Sequence, residues 1–282
     1  MFANVFAKTS TKAIAVTLTS SGLLALNGLS LNTTNTTAND DTIPSLDYGW
    51  SHHGMLSSFD YKAVRRGYQV YKEVCATCHS VQSIHFRNLV GVTHTKKELE
   101  ALAAEIDVVD AEPNDEGEAF ERPGKLSDPL PKPYANDEAG RAANAGALPP
   151  DLSLMAKARH GGVDYIFALM TGYTDAPTGK VMLPGLYYNP YFSGGAIAMP
   201  PPLMDGSVDF EDGTPATLTQ CAKDVSIFLN WAAEPEHDER KLQGFKYLLC
   251  LGMVAAITGY YKRYRWSIFK TRKISYTKTG RD

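Results

Sequence analysis

Apolar positions recur at helical spacing in several separated stretches, with long polar or proline-rich segments between them. From Tyr61 to Val74 the pattern predicts a helix, with Gly67, Tyr71 and Val74 on one stripe. Val163–Thr171 has helix-compatible apolar spacing, and Thr217–Trp231 predicts a further helix with Leu218, Ala222, Val225 and Phe228/Leu229 on one face. Gly67/Tyr71 against Phe228/Trp231 is the expected crossing of the first helix with the last one of the body. Pro177–Pro215 holds seven prolines and six glycines, and the segment from Pro123 to Tyr134 is also Pro-rich, so regular structure there must be short.

Leu242–Tyr261 is the candidate membrane segment. Its uncharged part, Tyr247–Tyr261, covers only about 22 Å as a helix, against a hydrocarbon core of roughly 30 Å. Phe245 and the stem of Lys246 extend it at one end, while Tyr260, Tyr261 and Trp266 suit the opposite interface. The competing reading is a long amphipathic helix buried against a partner. The residues from Lys262 to Asp282 carry eight Lys or Arg against one acid, which favours a span with its C-terminus on the inside face.

That basic end leaves 20 basic against 30 acidic residues in 1–261. An acidic body does not suit nucleic acid, whose phosphates need the opposite sign, but it would steer a basic partner. Residues 98–121 hold ten acids and no Lys or Arg, which reads as a solvated loop or as a docking surface for a basic protein. Residues 1–39 contain Lys8 and Lys12, no acid, many Ser and Thr, and an apolar run from Ala13 to Leu31 interrupted by hydroxyl residues. They read as a targeting presequence, fitting either a bacterial export signal or a mitochondrial presequence with a second, sorting half, and either route leads outside the cytosol or matrix.

The chemistry centres on Cys75-Ala76-Thr77-Cys78-His79, the attachment signature of a c-type haem. The two cysteines face one side and can form thioethers, and His79 follows as the proximal iron ligand. A thioredoxin-like pair would want a βαβ context rather than a preceding helix. A zinc site would want a second ligand pair, and Cys221 and Cys250 stand isolated, both expected to serve as packing residues.

For the other iron face, Met155 and Met170 read as packing. Met199 differs, standing between Gly194-Gly195 and Pro200-Pro201-Pro202, where glycines permit close backbone approach and prolines hold the loop. Met182 is the second choice on the same logic. A thioether opposite His raises the reduction potential and closes the iron, as an electron carrier needs. Arg141 and Arg159 are candidates to balance the haem propionates, and Pro149-Pro150 makes a rigid extended segment suited to lining a flat ligand.

With these residues in place the chain resembles the cytochrome c1 family, the haem-bearing subunits of quinol–cytochrome c reductase. The resemblance runs from about 48 to 276. It is carried by Arg-Arg-Gly-Tyr-Gln-Val-Tyr (65–71), the pentad, Gly-Ala-Leu-Pro-Pro-Asp-Leu-Ser (146–153) and Ala-Arg-His-Gly-Gly (158–162). Tyr-Asn-Pro-Tyr-Phe (188–192), Ala-Ile-Ala-Met (196–199) and Ala-Glu-Pro-Glu-His-Asp-Glu-Arg (233–240) add to it. Ser193 stands where the family often has Pro, which loosens the ligand loop but leaves the Met.

The resemblance implies one covalently attached haem c, with Cys75 and Cys78 as thioether sites and His79 and Met199 as axial ligands. It implies Arg159 near a propionate and Pro149 and Pro150 lining the pocket. It further implies a mainly α fold: a cytochrome c-like haem domain enlarged by long loops (40–241), one C-terminal transmembrane helix (242–262) and a basic inside-facing tail (263–282). The implied partners are cytochrome b and the Rieske iron–sulfur protein in a dimeric multisubunit complex, with soluble cytochrome c as electron acceptor. The implied site is the mitochondrial inner membrane, with the haem domain in the intermembrane space and the C-terminus in the matrix. No quinone site is expected on one span, so quinol oxidation belongs to the whole complex. The rival reading is a membrane-anchored c-haem enzyme or sensor with an open iron face.

Overall fold

A computed structural model describes residues 42–110 and 120–275; the expected presequence, residues 111–119 of the acidic stretch and the last part of the basic tail lie outside the described residues. The fold is mainly α. Asp60 opens α1 (Tyr61–Glu73) by accepting the N–H groups of Lys62 and Ala63, which would otherwise have no intrahelical partner. After α2 (Phe86–Leu89), α3 (Lys96–Ala104) begins with a reciprocal cap between Thr95 and Glu98. Then come α4 (Asp137–Ala143), α5 (Met155–Ala158) and α6 (Gly162–Thr171). α7 (Leu218–Ala233) is capped by Thr217, and α8 (His237–Thr271) follows almost at once.

Among the described residues, sheet is confined to two short antiparallel pairs. β1 (Asp107–Val109) pairs with β2 (Glu121–Pro123), and β3 (Tyr187–Tyr188) pairs with β4 (Ala196–Ile197).

The expected crossing of α1 with α7 is present. A Cβ on Gly67 would overlap the Asp224 carbonyl oxygen and lie 2.7 Å from Phe228 Cβ, so only glycine lets the two backbones approach this closely. The Tyr71 and Phe228 rings lie 5.6 Å apart, and Phe228 stacks on Trp231 at 6.0 Å. Beside this contact the Arg66 guanidinium grips the Asp224 carboxylate (2.7 Å) and also reaches Asp212 (2.9 Å). Asp224 is fully buried, so its charge depends on Arg66 and on the Gln220 amide, which donates to it at 2.8 Å. α7 is buried on more than the one predicted face, because α6 packs on it as well as α1.

The acidic stretch is not simply a solvated loop. Its first part is α3, which buries Leu99 and Ala103, and β1 follows. Arg122 on β2 joins Asp110 (2.6 Å) and, through both terminal nitrogens, Asp128 (2.7 and 3.0 Å). The apolar positions at 99 and 103 decide this, because helix spacing among the acids gives α3 a face to bury.

α8 is the one helix among the described residues long and apolar enough to cross a membrane. It begins at His237, ahead of the expected 242, and continues through 262 to Thr271, so the first basic residues of the tail are helical. Its length is about 52 Å at 1.5 Å per residue, so the uncharged run lies inside a helix longer than the hydrocarbon core, with polar and charged turns at both ends. Cys221 is buried as expected, but Cys250 is exposed on α8: its position on a helix that leaves the body gives it no core to join.

Candidate functional site

α1 ends at Glu73, and the pentad follows as a 3-10 turn, Cys75–Thr77. The N–H groups of both Cys78 and His79 donate to the Cys75 carbonyl (3.1 and 2.8 Å), which holds the thiols and imidazole on one tight turn. Tyr71, buried on α1, donates its hydroxyl to the His79 carbonyl at 3.2 Å. The two thiols are free. Burial, and then the neighbouring Cys78, push the Cys75 thiol up to about 12. A redox-active pair needs the reverse shift.

The His79 ring is set by a distant segment. Nδ1 lies 2.8 Å from the Pro150 carbonyl oxygen, which can only accept, so Nδ1 carries the proton and the Nε2 lone pair is left for a metal. Burial lowers the His79 pKa, although the Pro150 bond and Asp151 oppose it, so the ring is the neutral ligand form.

Asp151 locks the two segments together. Its carboxylate accepts the Ser80 hydroxyl (2.8 Å), the Gln82 N–H (2.9 Å) and the Ser153 N–H (2.9 Å), and Leu152 N–H donates to the Ser80 carbonyl (2.8 Å). Burial works against the charged carboxylate, yet these bonds outweigh it and hold its pKa below the ordinary value. Pro149 is half-buried and Pro150 exposed beside this lock.

Met199 follows β4. The β3–β4 turn needs left-handed backbone at Gly194 (φ 75°) and Gly195 (φ 68°), so here the glycines shape the turn that delivers the methionine. Buried Asn189 holds the turn in place: its amide donates to the Leu169 carbonyl (2.8 Å) and its N–H to the Gly195 carbonyl (3.2 Å). Tyr173 donates its hydroxyl to the Met199 carbonyl at 3.1 Å, and burial raises its pKa, keeping that proton in place.

Arg159 is exposed at the start of the α6 turn, where its guanidinium bonds the Ala158 carbonyl (3.0 Å) and interacts with Tyr165. Tyr165 lies on α6 and Tyr173 two residues beyond its end, so Arg159 and the brace of the Met199 loop flank the same helix. Arg141 is exposed at the end of α4 and donates to the Gly146 carbonyl (3.3 Å), bracing the turn that leads to Pro149. Met155 and Met170 pack against the core, as expected, and Met182 is half-buried in the loop before β3.

Sequence reasoning missed Asp151, Tyr165 and Tyr173 as supporting residues. Asp151 had a signal, since Asp-x-Ser after a proline pair favours a side-chain-to-backbone turn. The tyrosines had none, because their partners are distant in sequence.

The donor set fits a covalent haem: two free thiols on one turn, an imidazole with Nε2 uncommitted, and a thioether on a braced loop. Comparison with known proteins agrees with this chemistry. Residues 50–269 match the model of the Cytochrome C1 family. The chain is 59% identical over 228 residues to "Cytochrome c1 2, heme protein, mitochondrial" of Arabidopsis thaliana, covering 81% of this chain and 74% of that protein. It is 57% identical over 230 residues to "Cytochrome b-c1 complex catalytic subunit, mitochondrial" of Candida albicans, covering 81% and 80%. It is 56% identical over 227 residues to "Cytochrome c1, heme protein, mitochondrial" of Saccharomyces cerevisiae, covering 80% and 73%. With a family match across most of its length and relatives this similar, the chain belongs to the cytochrome c1 family.

Proposed function

We propose that the chain is the membrane-anchored haem subunit of a mitochondrial cytochrome b-c1 complex. In this role it takes single electrons from the Rieske iron–sulfur protein and gives them to soluble cytochrome c. The observation that carries the reading is the His79–Pro150 bond, which reserves Nε2 for iron within a pentad that supplies both thioether sulfurs. When bound, one covalently attached haem c supplies a one-electron couple.

Cys75 and Cys78 hold the group, and His79 presents a neutral ligand. Met199 would hold the group with its thioether, a second protein ligand that would keep small molecules out and raise the reduction potential. Arg159, beside Tyr165 on α6, would counter propionate charge; Arg141 is the second candidate for that role. Pro149 and Pro150 line the pocket. The chain therefore acts as a carrier within the reductase, and quinol is oxidised elsewhere in the complex.

The same reading makes 1–39 a removed presequence and 40–241 the haem domain in the intermembrane space. The anchor at 242–262 crosses the inner membrane inside the longer α8, and the basic tail at 263–282 lies in the matrix, as the charge asymmetry supports. Cytochrome b and the Rieske protein are its neighbours in a dimeric complex.

The test is the optical spectrum of the reduced membrane complex with and without carbon monoxide. An unchanged c-type spectrum supports the closed carrier. A shifted spectrum would reject it in favour of a c-haem enzyme or sensor with an open iron face.

A further inference from the structure

Around the root of α8 the chain arranges an apolar surface that the electron-transfer site does not use. Lys241, on the first turns of α8, donates its ammonium to three carbonyl oxygens of one loop: His52 (2.6 Å), Gly54 (2.8 Å) and Ser57 (3.1 Å). Asp238, one turn earlier, accepts the Tyr61 hydroxyl (2.8 Å) and the Phe59 N–H (3.3 Å), so the segment entering α1 is fixed to the helix as well. Between these ties the loop turns Met55 and Leu56 outward, 82% and 77% exposed. Such exposure is unusual for two adjacent large apolar side chains on a loop whose backbone is this firmly held.

On α8 itself Leu242 follows Lys241 directly and Phe245 lies one turn further on, and both are exposed. Residues 51–58 contain no acid that would repel an anionic headgroup. Lys241 is about 9 Å along the axis from the start of the uncharged run at Tyr247. The headgroup zone adds about 5–7 Å on each side of the hydrocarbon, and a Met or Leu side chain covers the remaining gap.

We infer that Met55 and Leu56 form a second membrane contact, a wedge seated at the headgroup–acyl boundary beside the root of α8. The occupant of this surface is lipid, because Lys241 ties the loop to the root of the helix that leaves the body, and residues 51–58 hold no Asp, Glu, Lys or Arg to pair with a protein. Lys241 is the positioning residue: it joins wedge and helix, so the haem body has two points on the bilayer and a fixed tilt about its single span. The inference rests on reading α8 as a span.

The experiment measures spin-label depth in the intact complex reconstituted in lipid. Labels are placed at Met55→Cys and, separately, at Leu56→Cys, in chains also carrying Cys250→Ser. Accessibility to oxygen is compared with accessibility to a water-soluble nickel chelate. A label on native Cys250 is the depth reference, and Val181→Cys, at a 90% exposed loop position, is the aqueous reference. The expected result is that labels at 55 and 56 favour oxygen over nickel several-fold, towards the Cys250 value. Nickel accessibility equal to that at 181, with Cys250 still closed to nickel, would overturn the wedge while leaving the span. Closure of 55 and 56 to both agents would overturn it in favour of a protein cover. Nickel accessibility at Cys250 would remove the span and the wedge together.

Discussion

The Nδ1 of His79 lies 2.8 Å from the carbonyl oxygen of Pro150, 71 residues further along the chain. A proline carbonyl is a suitable partner: the ring restricts its own backbone, and the peptide oxygen can take only the accepting role. The bond fixes both the tautomer and the plane of the imidazole, and its geometry is maintained by Asp151 rather than by the pentad.

Asp151→Ala should therefore disturb the histidine without touching it. Removing the carboxylate leaves the Ser80 hydroxyl and the Gln82 and Ser153 N–H groups short of an acceptor, at a cost of about 1–3 kcal/mol. The expected outcome is a lower melting temperature together with a shifted haem reduction potential, followed by optical redox titration. A normal potential in a destabilised protein would mean that the lock serves only the fold.

Gly67→Ala should weaken the crossing of α1 and α7, because the new methyl meets the Asp224 backbone, which cannot turn aside. Overpacking of this kind costs about 1–3 kcal/mol. Haem should still be incorporated, and thermal unfolding monitored at the haem absorption band should shift downward; Gly67→Leu should prevent accumulation of the haem protein. An unchanged melting curve for both variants would show that the helices do not depend on this close approach.

Met199→Leu removes the thioether but keeps the side-chain bulk. The expected outcome is a lower haem potential, slower reduction of soluble cytochrome c and carbon monoxide binding to the reduced form. Retention of the original potential would exclude Met199 as the ligand and move attention to Met182.

A pH effect is expected at His52, which is 1% exposed and stacks on Phe59 at 4.6 Å. Its Nε2 faces the Asn230 amide at 2.6 Å, while Nδ1 has no hydrogen-bond partner. Burial first, then His53, His237 and Lys241, pull its pKa down to about 4, against the opposing pull of Asp238. The unfolded chain, with an ordinary value near 6.5, binds the proton more readily. Stability from this site is complete above about pH 6.5, falls as pH drops towards 4, and changes no further below that, a loss of up to about 3 kcal/mol. Denaturation midpoints measured between pH 7 and 4 should show this slope, and His52→Phe should flatten it; an equal slope in the variant would assign the effect to other groups.

The sequence by itself determined what depends on neighbours within a few residues. The pentad declares its chemistry because five adjacent residues carry it, and α1 and α7 were legible because helical periodicity repeats within each. The apolar run near the end marked a candidate span for the same reason, although the uncharged residues understated a helix that continues into charged ones. Gly67 against Phe228 was expected because haem-c domains commonly cross their first and last helices, and the close approach of the two backbones at Gly67 bears it out.

Tertiary structure alone decided the rest. That Pro150 sets the His79 tautomer, that Arg66 neutralises buried Asp224, and that Tyr173 braces the Met199 loop are contacts between segments far apart in sequence. Hydrogen bonds and ion pairs carry no periodic signature, because one partner's identity does not fix the other's position. The acidic stretch lies between the two cases: Leu99 and Ala103 stand at helix spacing in the sequence, but only the structure shows that the body buries the face they form. Local patterns specify elements and covalent chemistry; only packing specifies which polar group meets which.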